Sequence, residues 1–307
     1  MDLSYKGYLF CYFTGKEELL TDEQVYFAVS RDGLRWKDLN YGRPVLQSSI
    51  GEGGVRDPFI LRMRNEKRYV ILATDLQIAK GIDWETASHQ GSTRIICWES
   101  EDLIHWSEPY FFETGVEGAG CAWAPEAIYD ETSGNYMIFW AAMTAEKGRM
   151  KHKIYCSTTE DFHNFSKPCI YIEREEDVID TTMIWKDNQY YRFSKDECAQ
   201  VILMEKGENL QRGPYVPIKS EMLEKMEGVE GPAAFQFIGE EKWCLLVDNY
   251  KENKGYIPLV TNNLDSGEFI RLPESAYDFG VNKKRHGSVM YLTEEELERL
   301  EKYYGIS

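Results

Sequence analysis

Positive charge is scarce in this 307-residue sequence: 35 Lys and Arg stand against 52 Asp and Glu, for a formal net charge of −17. A field of that sign repels phosphate backbones and anionic headgroups, which argues against nucleic acid or a membrane surface as a partner. No stretch approaches the roughly 20 consecutive apolar residues that span a bilayer. The opening MDLSYKGYLFCYFTG has neither a cationic segment nor a long apolar one, so the expectation is a soluble, cytoplasmic chain without a secretory signal. Cys-x-x-Cys spacing is also missing. The seven cysteines are scattered, and several lie in apolar runs such as YLFCYF and RIICW. Buried, reduced thiols are expected there, not a zinc site, a disulfide framework or a catalytic nucleophile.

Aromatic residues are plentiful, with 8 Trp, 20 Tyr and 14 Phe. They favour strands over a helical bundle. Four apolar runs open on an aromatic and close on a small or polar residue: Tyr69-VILATD, Tyr136-MIFWAA, Tyr190-YRFSKD and Trp243-CLLVDN, with a fifth at Tyr8-LFCYFT. Turn-forming residues precede each internal run, and before them comes another apolar strand with a polar opening. A third strand and a turn follow each hairpin. Four strands repeating every 50 to 70 residues or so are the signature of a propeller blade.

The N-terminal unit lacks its first strand, and Arg285-His286-Gly287-Ser288-Val289-Met290-Tyr291-Leu292 has the missing pattern. The sequence therefore predicts an all-β, five-bladed propeller over 1–307 as a single domain, closed by the C-terminal strand joining the N-terminal blade. Inner strands should start near 57, 123, 179, 230 and 285. Thr293 with Glu296 reads as a capping box opening a short helix over about 293–304.

Inner strands of a propeller begin around the central axis. That places Asp57, Glu126, Asp180, Glu230 and His286 at one end of the channel. One acid at a strand opening is ordinary turn chemistry, but four in phase with the blades predict a shared pocket. Carboxylates crowded together are driven to different pKa values, which a general acid and base acting at one pH need.

These motifs, taken in order, resemble glycoside hydrolase family 43, and the resemblance runs from Tyr8 to Leu292. It implies a glycosidase of the α-L-arabinofuranosidase or β-xylosidase kind that inverts configuration, removing arabinofuranosyl or xylosyl residues from oligosaccharides in exo fashion. By the same resemblance Asp57, in Asp57-Pro58, is the catalytic general base. Glu230, in Glu230-Gly231-Pro232, is the general acid, and Asp180 tunes and orients that acid. The family's Ile-Asp-Pro departs here, with Thr181 in place of proline. Trp123-Ala124-Pro125-Glu126 resembles a wall of the sugar subsite, with Trp123 stacking and Glu126 touching a hydroxyl. Arg285 is expected as a further substrate contact. His286 resembles the residue that helps hold a hydrated calcium ion near the axis, and no organic cofactor is implied. The segment Leu76 to Thr93, with Trp84 in it, is expected to overhang the pocket as a specificity loop.

Two alternatives stay open. One is a noncatalytic glycan-binding propeller. The other is a retaining, fructan-cleaving type, which shares Arg-Asp-Pro. Against it, the chain lacks an Asn-Asp-Pro-Asn opening, and its only Glu-Cys, Glu197-Cys198, lies beyond a second strand.

Overall fold

The run Tyr8–Phe13 is apolar at every position because both of its faces are covered, and strands buried on both sides read as continuous hydrophobic runs. In a computed structural model describing residues 4–64, 67–211 and 213–306, Leu9 and Cys11 enter one core cluster while Tyr8, Phe10 and Tyr12 enter another. The same division recurs around the molecule, with an apolar cluster between each pair of neighbouring blades. Truncating a ring such as Phe10, fully buried, would cost about 3–5 kcal/mol.

The chain begins with β1 (Tyr5–Phe13), β2 (Tyr26–Ser30) and β3 (Lys37–Asp38). Four complete meanders follow. They are β4 (Val55–Arg62), β5 (Tyr69–Asp75), β6 (Arg94–Ser100) and β7 (Tyr110–Glu113); then β8 (Trp123–Asp130), β9 (Asn135–Glu146), β10 (Arg149–Thr159) and β11 (Cys169–Ile172). The last two are β12 (Val178–Lys186), β13 (Gln189–Asp196), β14 (Val201–Gly207) and β15 (Val216–Ile218), then β16 (Glu230–Gln236), β17 (Trp243–Asn249), β18 (Gly255–Thr261) and β19 (Ile270–Arg271). Finally β20 (Arg285–Thr293) pairs antiparallel with β1, completing five four-stranded sheets as the repeat predicted. β20, β4, β8, β12 and β16 touch in a ring.

A recurring turn joins third to fourth strands. The hydroxyls of Ser30, Ser100 and Thr159 accept from the N–H of Gly33, Leu103 and Phe162, each at 2.9 Å. Asp32, Asp102 and Asp161 take the next amide. These side chains supply acceptors that the turning backbone lacks.

The helices are α1 (Trp84–Gln90), α2 (Glu221–Lys225) and α3 (Glu294–Tyr304). Thr293 and Glu296 form the expected capping box on α3. Leu297 and Leu300 of α3 join the cluster between the first two blades, and Glu296 pairs with Arg62 of β4.

Three features depart from the sequence reading. The Leu76–Thr93 segment is not a plain loop: it contains a 3-10 turn at Ile78–Lys80 and then α1, capped by Asp83, whose carboxylate accepts the Thr86 N–H at 2.8 Å. The β9–β10 hairpin runs on to Glu146 and Arg149, past Met143 where the apolar run stops. Its polar end is tied by Lys151 and Lys153 to Glu146. Of the seven cysteines, Cys169 and Cys198 are exposed, because they sit on an outer strand and in a turn, away from the inter-blade cores.

Candidate active site

Each inner strand is interrupted near its start. Pairing with the second strand skips between Arg56 and Phe59, Trp123 and Glu126, Ile179 and Thr181, and Glu230 and Ala233. Asp57, Ala124, Asp180 and Gly231 occupy the bulges with φ of 49°, 48°, 48° and 51°. In the first blade the break falls where Gly287 and Arg285 face Tyr12 and Phe13. Bulges bend a strand and re-aim its side chains, and Asp tolerates the left-handed region better than most residues. The result is five strand openings turned toward the axis.

His286 sits among the acids. Its Nδ1 lies 3.4 Å from Asp57 Oδ1 and 3.7 Å from Asp180 Oδ2. Burial lowers the imidazole pKa, but Asp180, Asp57 and Glu126 more than offset this and push it up to about 9. An imidazolium is thus the positive centre of the cluster. Gly231 lets the ring in: a Cβ there would lie 2.6 Å from His286 Cγ. The Gly231 N–H donates to Asp180 Oδ2 at 3.0 Å, and Tyr256 bridges the Gly231 and Gly287 carbonyls.

Asp57 accepts from the Thr74 hydroxyl at 2.8 Å, and Thr74 accepts from the Ala124 N–H at 2.8 Å. Burial works against its charge, yet His286, Arg56 and Thr74 together hold it below the usual carboxylate range. Asp57 is thereby held as the carboxylate.

Glu230 is held at both oxygens. Lys195 donates to Oε2 and Arg285 to Oε1, each at 2.9 Å. Burial raises its pKa, and Lys195, Arg285 and His286 bring it below the ordinary value. Asp180 goes the other way: burial outweighs His286, and with Glu230 nearby it rises to about 6. Glu126 goes furthest, to about 8, chiefly through burial. At neutral pH the free site therefore keeps protons on Glu126 and His286, with Asp180 joining them only near pH 6, while Asp57 and Glu230 are charged.

Access divides the same four acids. The Asp57 and Glu230 side chains keep 15% and 22% exposure against 9% for Asp180, and Glu126 is 5% exposed. Glu126 is deeper than a contact to a sugar hydroxyl requires. It lines an axial cavity of about 140 Å³ with Thr182 and Ser288. Arg285 is committed to Glu230 and to Asp248 rather than free at the surface.

Trp123 is half-buried, tilted against His152 at 5.2 Å between ring centroids and edge-on to Trp84 at 6.0 Å. Trp84, at the start of α1, also covers the Arg56 guanidinium at 4.9 Å, and Phe13 covers it at 4.7 Å. Arg56 in turn pairs with Glu23 at 2.8 Å, and Glu23 accepts the Ile78 and Ala79 N–H groups at 2.9 Å. The segment carrying Trp84 is thereby anchored beside the acids.

His286 does not fit a direct calcium ligand. The ion prefers six to eight oxygen ligands or thereabouts, His286 Nδ1 is already placed 3.4 Å from Asp57 and 3.7 Å from Asp180, and among the described residues no group of three or more His, Cys, Asp or Glu is arranged to hold a metal.

Lys195, Asp248, Thr74, Glu23 and His152 were absent from the sequence reading. Three of them had a signal. Lys195, Asp248 and Thr74 close second strands, and their partners in register are Ile179, Glu230 and Arg56, residues of the inner-strand openings.

Residues 4–298 match the family of probable glycosyl hydrolase domains related to family 43. The chain belongs to that family. It is 28% identical over 184 residues to an α-L-arabinofuranosidase of Bifidobacterium longum subsp. longum, a match covering 54% of this chain and 17% of that protein. The chain thus spans about a sixth of the length of that curated relative. In fold it is similar to an exo-β-1,3-galactanase of Phanerochaete chrysosporium (TM-score 0.61, 9% identity, 87% of this chain and 60% of that one). It is also similar to a putative exo-β-1,3-galactanase of Bifidobacterium bifidum (TM-score 0.59, 13% identity, 91% of each). No helix among the described residues is long and apolar enough to cross a membrane.

Proposed function

We propose that the chain hydrolyses glycosidic bonds by single displacement with inversion, removing a terminal arabinofuranosyl or xylosyl residue. The observation that carries this reading is the division of access: of four axial acids, the two most exposed to solvent are Asp57 and Glu230. Asp57, kept ionised by His286, Arg56 and Thr74, takes a proton from the attacking water. Glu230 gives a proton to the departing oxygen. For that it must acquire one as sugar enters and displaces water from its neighbours, and Asp180 is the adjacent carboxyl that holds one near pH 6. The pair exchanges a proton as a unit. Trp123 and Trp84 offer aromatic surface for the apolar face of a sugar ring.

Sequence similarity to an arabinofuranosidase favours the arabinofuranosyl side of the pair, and similarity in fold to galactanases places galactosides in the same test. Release of an aryl group from α-L-arabinofuranosides, β-D-xylosides, β-D-galactosides and β-D-galactofuranosides is to be followed, with Asp57→Asn and Glu230→Gln beside the parent. Each variant should lose turnover by roughly 10²- to 10⁴-fold, and the anomer first released should be the inverted one.

One observation favours a second reading, a noncatalytic glycan-binding propeller: in the free site Glu230 is ionised between two cations, which is the wrong state for an acid. Saturable binding of a pentoside by a folded chain that turns over nothing in the panel would establish that reading instead.

A further inference from the structure

Cys156 on β10 and Cys169 on the outer strand β11 are register partners. Opposed residues of an antiparallel pair have Cα atoms about 4.5–5.5 Å apart, inside the roughly 4.4–6.8 Å that a disulfide spans. Their Sγ atoms are 3.5 Å apart, both as free thiols. Cys169 is exposed and Cys156 buried, so one sulfur is open to solvent and the other waits behind it. We propose that Cys156 and Cys169 are a redox-active dithiol, closed to a disulfide by a peroxide and reopened by a dithiol reductant.

The exposed Cys169 reacts first. Its thiolate attacks a peroxide oxygen, breaking the O–O bond; hydrogen peroxide is reduced to water and Cys169 becomes a sulfenic acid. The Cys156 sulfur then attacks the Cys169 sulfur, the S–O bond breaks, and the departing hydroxide leaves as water with the Cys156 proton. Two thiols lose two electrons in total, and the peroxide gains them. Burial and the neighbouring Cys169 push the Cys156 thiol pKa well up, so the second step relies on the 3.5 Å proximity of the two sulfurs. Reduction runs by thiol–disulfide exchange at the exposed sulfur.

The bridge fastens the four-residue β11 to the body of its blade. Short outer strands are where a sheet is most open to fraying or to pairing with another chain. The chain continues from β11 to Asp177, which accepts the His152 N–H at 2.8 Å, so the linked strands also bear the support of the Trp123 wall.

The test treats the full chain with hydrogen peroxide, denatures it in an alkylating agent and maps all seven cysteines by peptide mass. The expected result is loss of two alkylatable thiols, recovery of a Cys156–Cys169 linked peptide from monomeric protein, and full reversal by dithiothreitol. Cys156→Ser should abolish the linked peptide and leave Cys169 as an over-oxidised acid. Cys198, exposed beside Glu176, serves as the internal comparison. Recovery of Cys156 fully alkylated after treatment, over-oxidation of Cys169 in the parent chain, or a link from Cys169 to another molecule would each overturn the proposal.

Discussion

Lys195 reaches across a blade boundary to donate to Glu230 at 2.9 Å, leaving β13 to grip a residue of β16. It is one of the two cations that hydrogen-bond the proposed acid. Lys195→Met should raise the pKa of Glu230, so the basic limb of kcat/KM moves to higher pH. The pH-optimum rate should fall roughly 10- to 100-fold, the scale of a lost charge-assisted hydrogen bond of about 1.5–3 kcal/mol. A pH–rate profile checks this. An unmoved limb beside a lowered melting temperature would leave Lys195 a structural residue only.

Thr74 predicts the opposite limb. Its hydroxyl both supports Asp57 and satisfies the Ala124 N–H. Thr74→Val removes a donor from the carboxylate and leaves a buried amide unpaired, at a cost of about 1–3 kcal/mol. The Asp57 pKa should rise, carrying the acidic limb of kcat/KM upward, and Thr74→Ser should restore the parent profile. Activity across pH 4 to 9 or so, measured on all three proteins, decides it.

Gly231→Ala tests whether the Glu-Gly-Pro glycine is there for backbone or for space. At φ 51° an L-residue costs about 1–2 kcal/mol, and the new Cβ would meet His286 at 2.6 Å. Displacing the imidazolium weakens the charge that keeps Asp57 ionised. Turnover should drop along with thermal stability, and Gly231→Ala combined with His286→Ala should lose less than the sum of the two. Additive losses in kcat would show that the ring and the glycine act independently.

Glu126 offers a test by stability alone. Its carboxyl is neutral in the fold up to about pH 8, while in the unfolded chain it ionises near 4.3 or so. Between those values the unfolded state gives up a proton that the native state keeps, so Glu126 destabilises progressively as pH rises. Glu126→Gln should therefore gain melting temperature over the parent at pH 8 and little at pH 4. Differential scanning measurements at both pH values suffice. Equal differences at the two would show that Glu126 is already ionised in the native protein.

The sequence disclosed the repeat because both faces of each second strand are buried, which writes itself as apolar runs such as Tyr69-VILATD and Trp243-CLLVDN. Blade count, closure and the helix cap at Thr293 followed from that pattern. The axial acids were legible for the same reason: inner strands all open polar, in phase. What the pattern hid was pairing. Lys195, Asp248 and Thr74 stand at the far ends of second strands, in view but without significance until the antiparallel register sets them against Ile179, Glu230 and Arg56. His152 was less visible still, since it depends on a hairpin that continues beyond its apolar stretch on charged residues. Depth was also hidden: Glu126 and Glu230 look alike in sequence, and only the bulges make one a channel residue and the other an accessible acid.

Closure by β20 has a consequence for synthesis. Four of the sheets are meanders of neighbours in sequence, each able to form as its own segment leaves the ribosome, whereas Tyr8 must wait for Tyr291 before its inner edge is paired. Arg285 and His286 lie on that last strand. A nascent chain that has already made Asp57, Asp180 and Glu230 has neither the imidazolium between Asp57 and Asp180 nor the guanidinium on Glu230. The propeller is thus built with its charge balance delivered last, and the acids that repel one another meet only when the strand that reconciles them closes the ring.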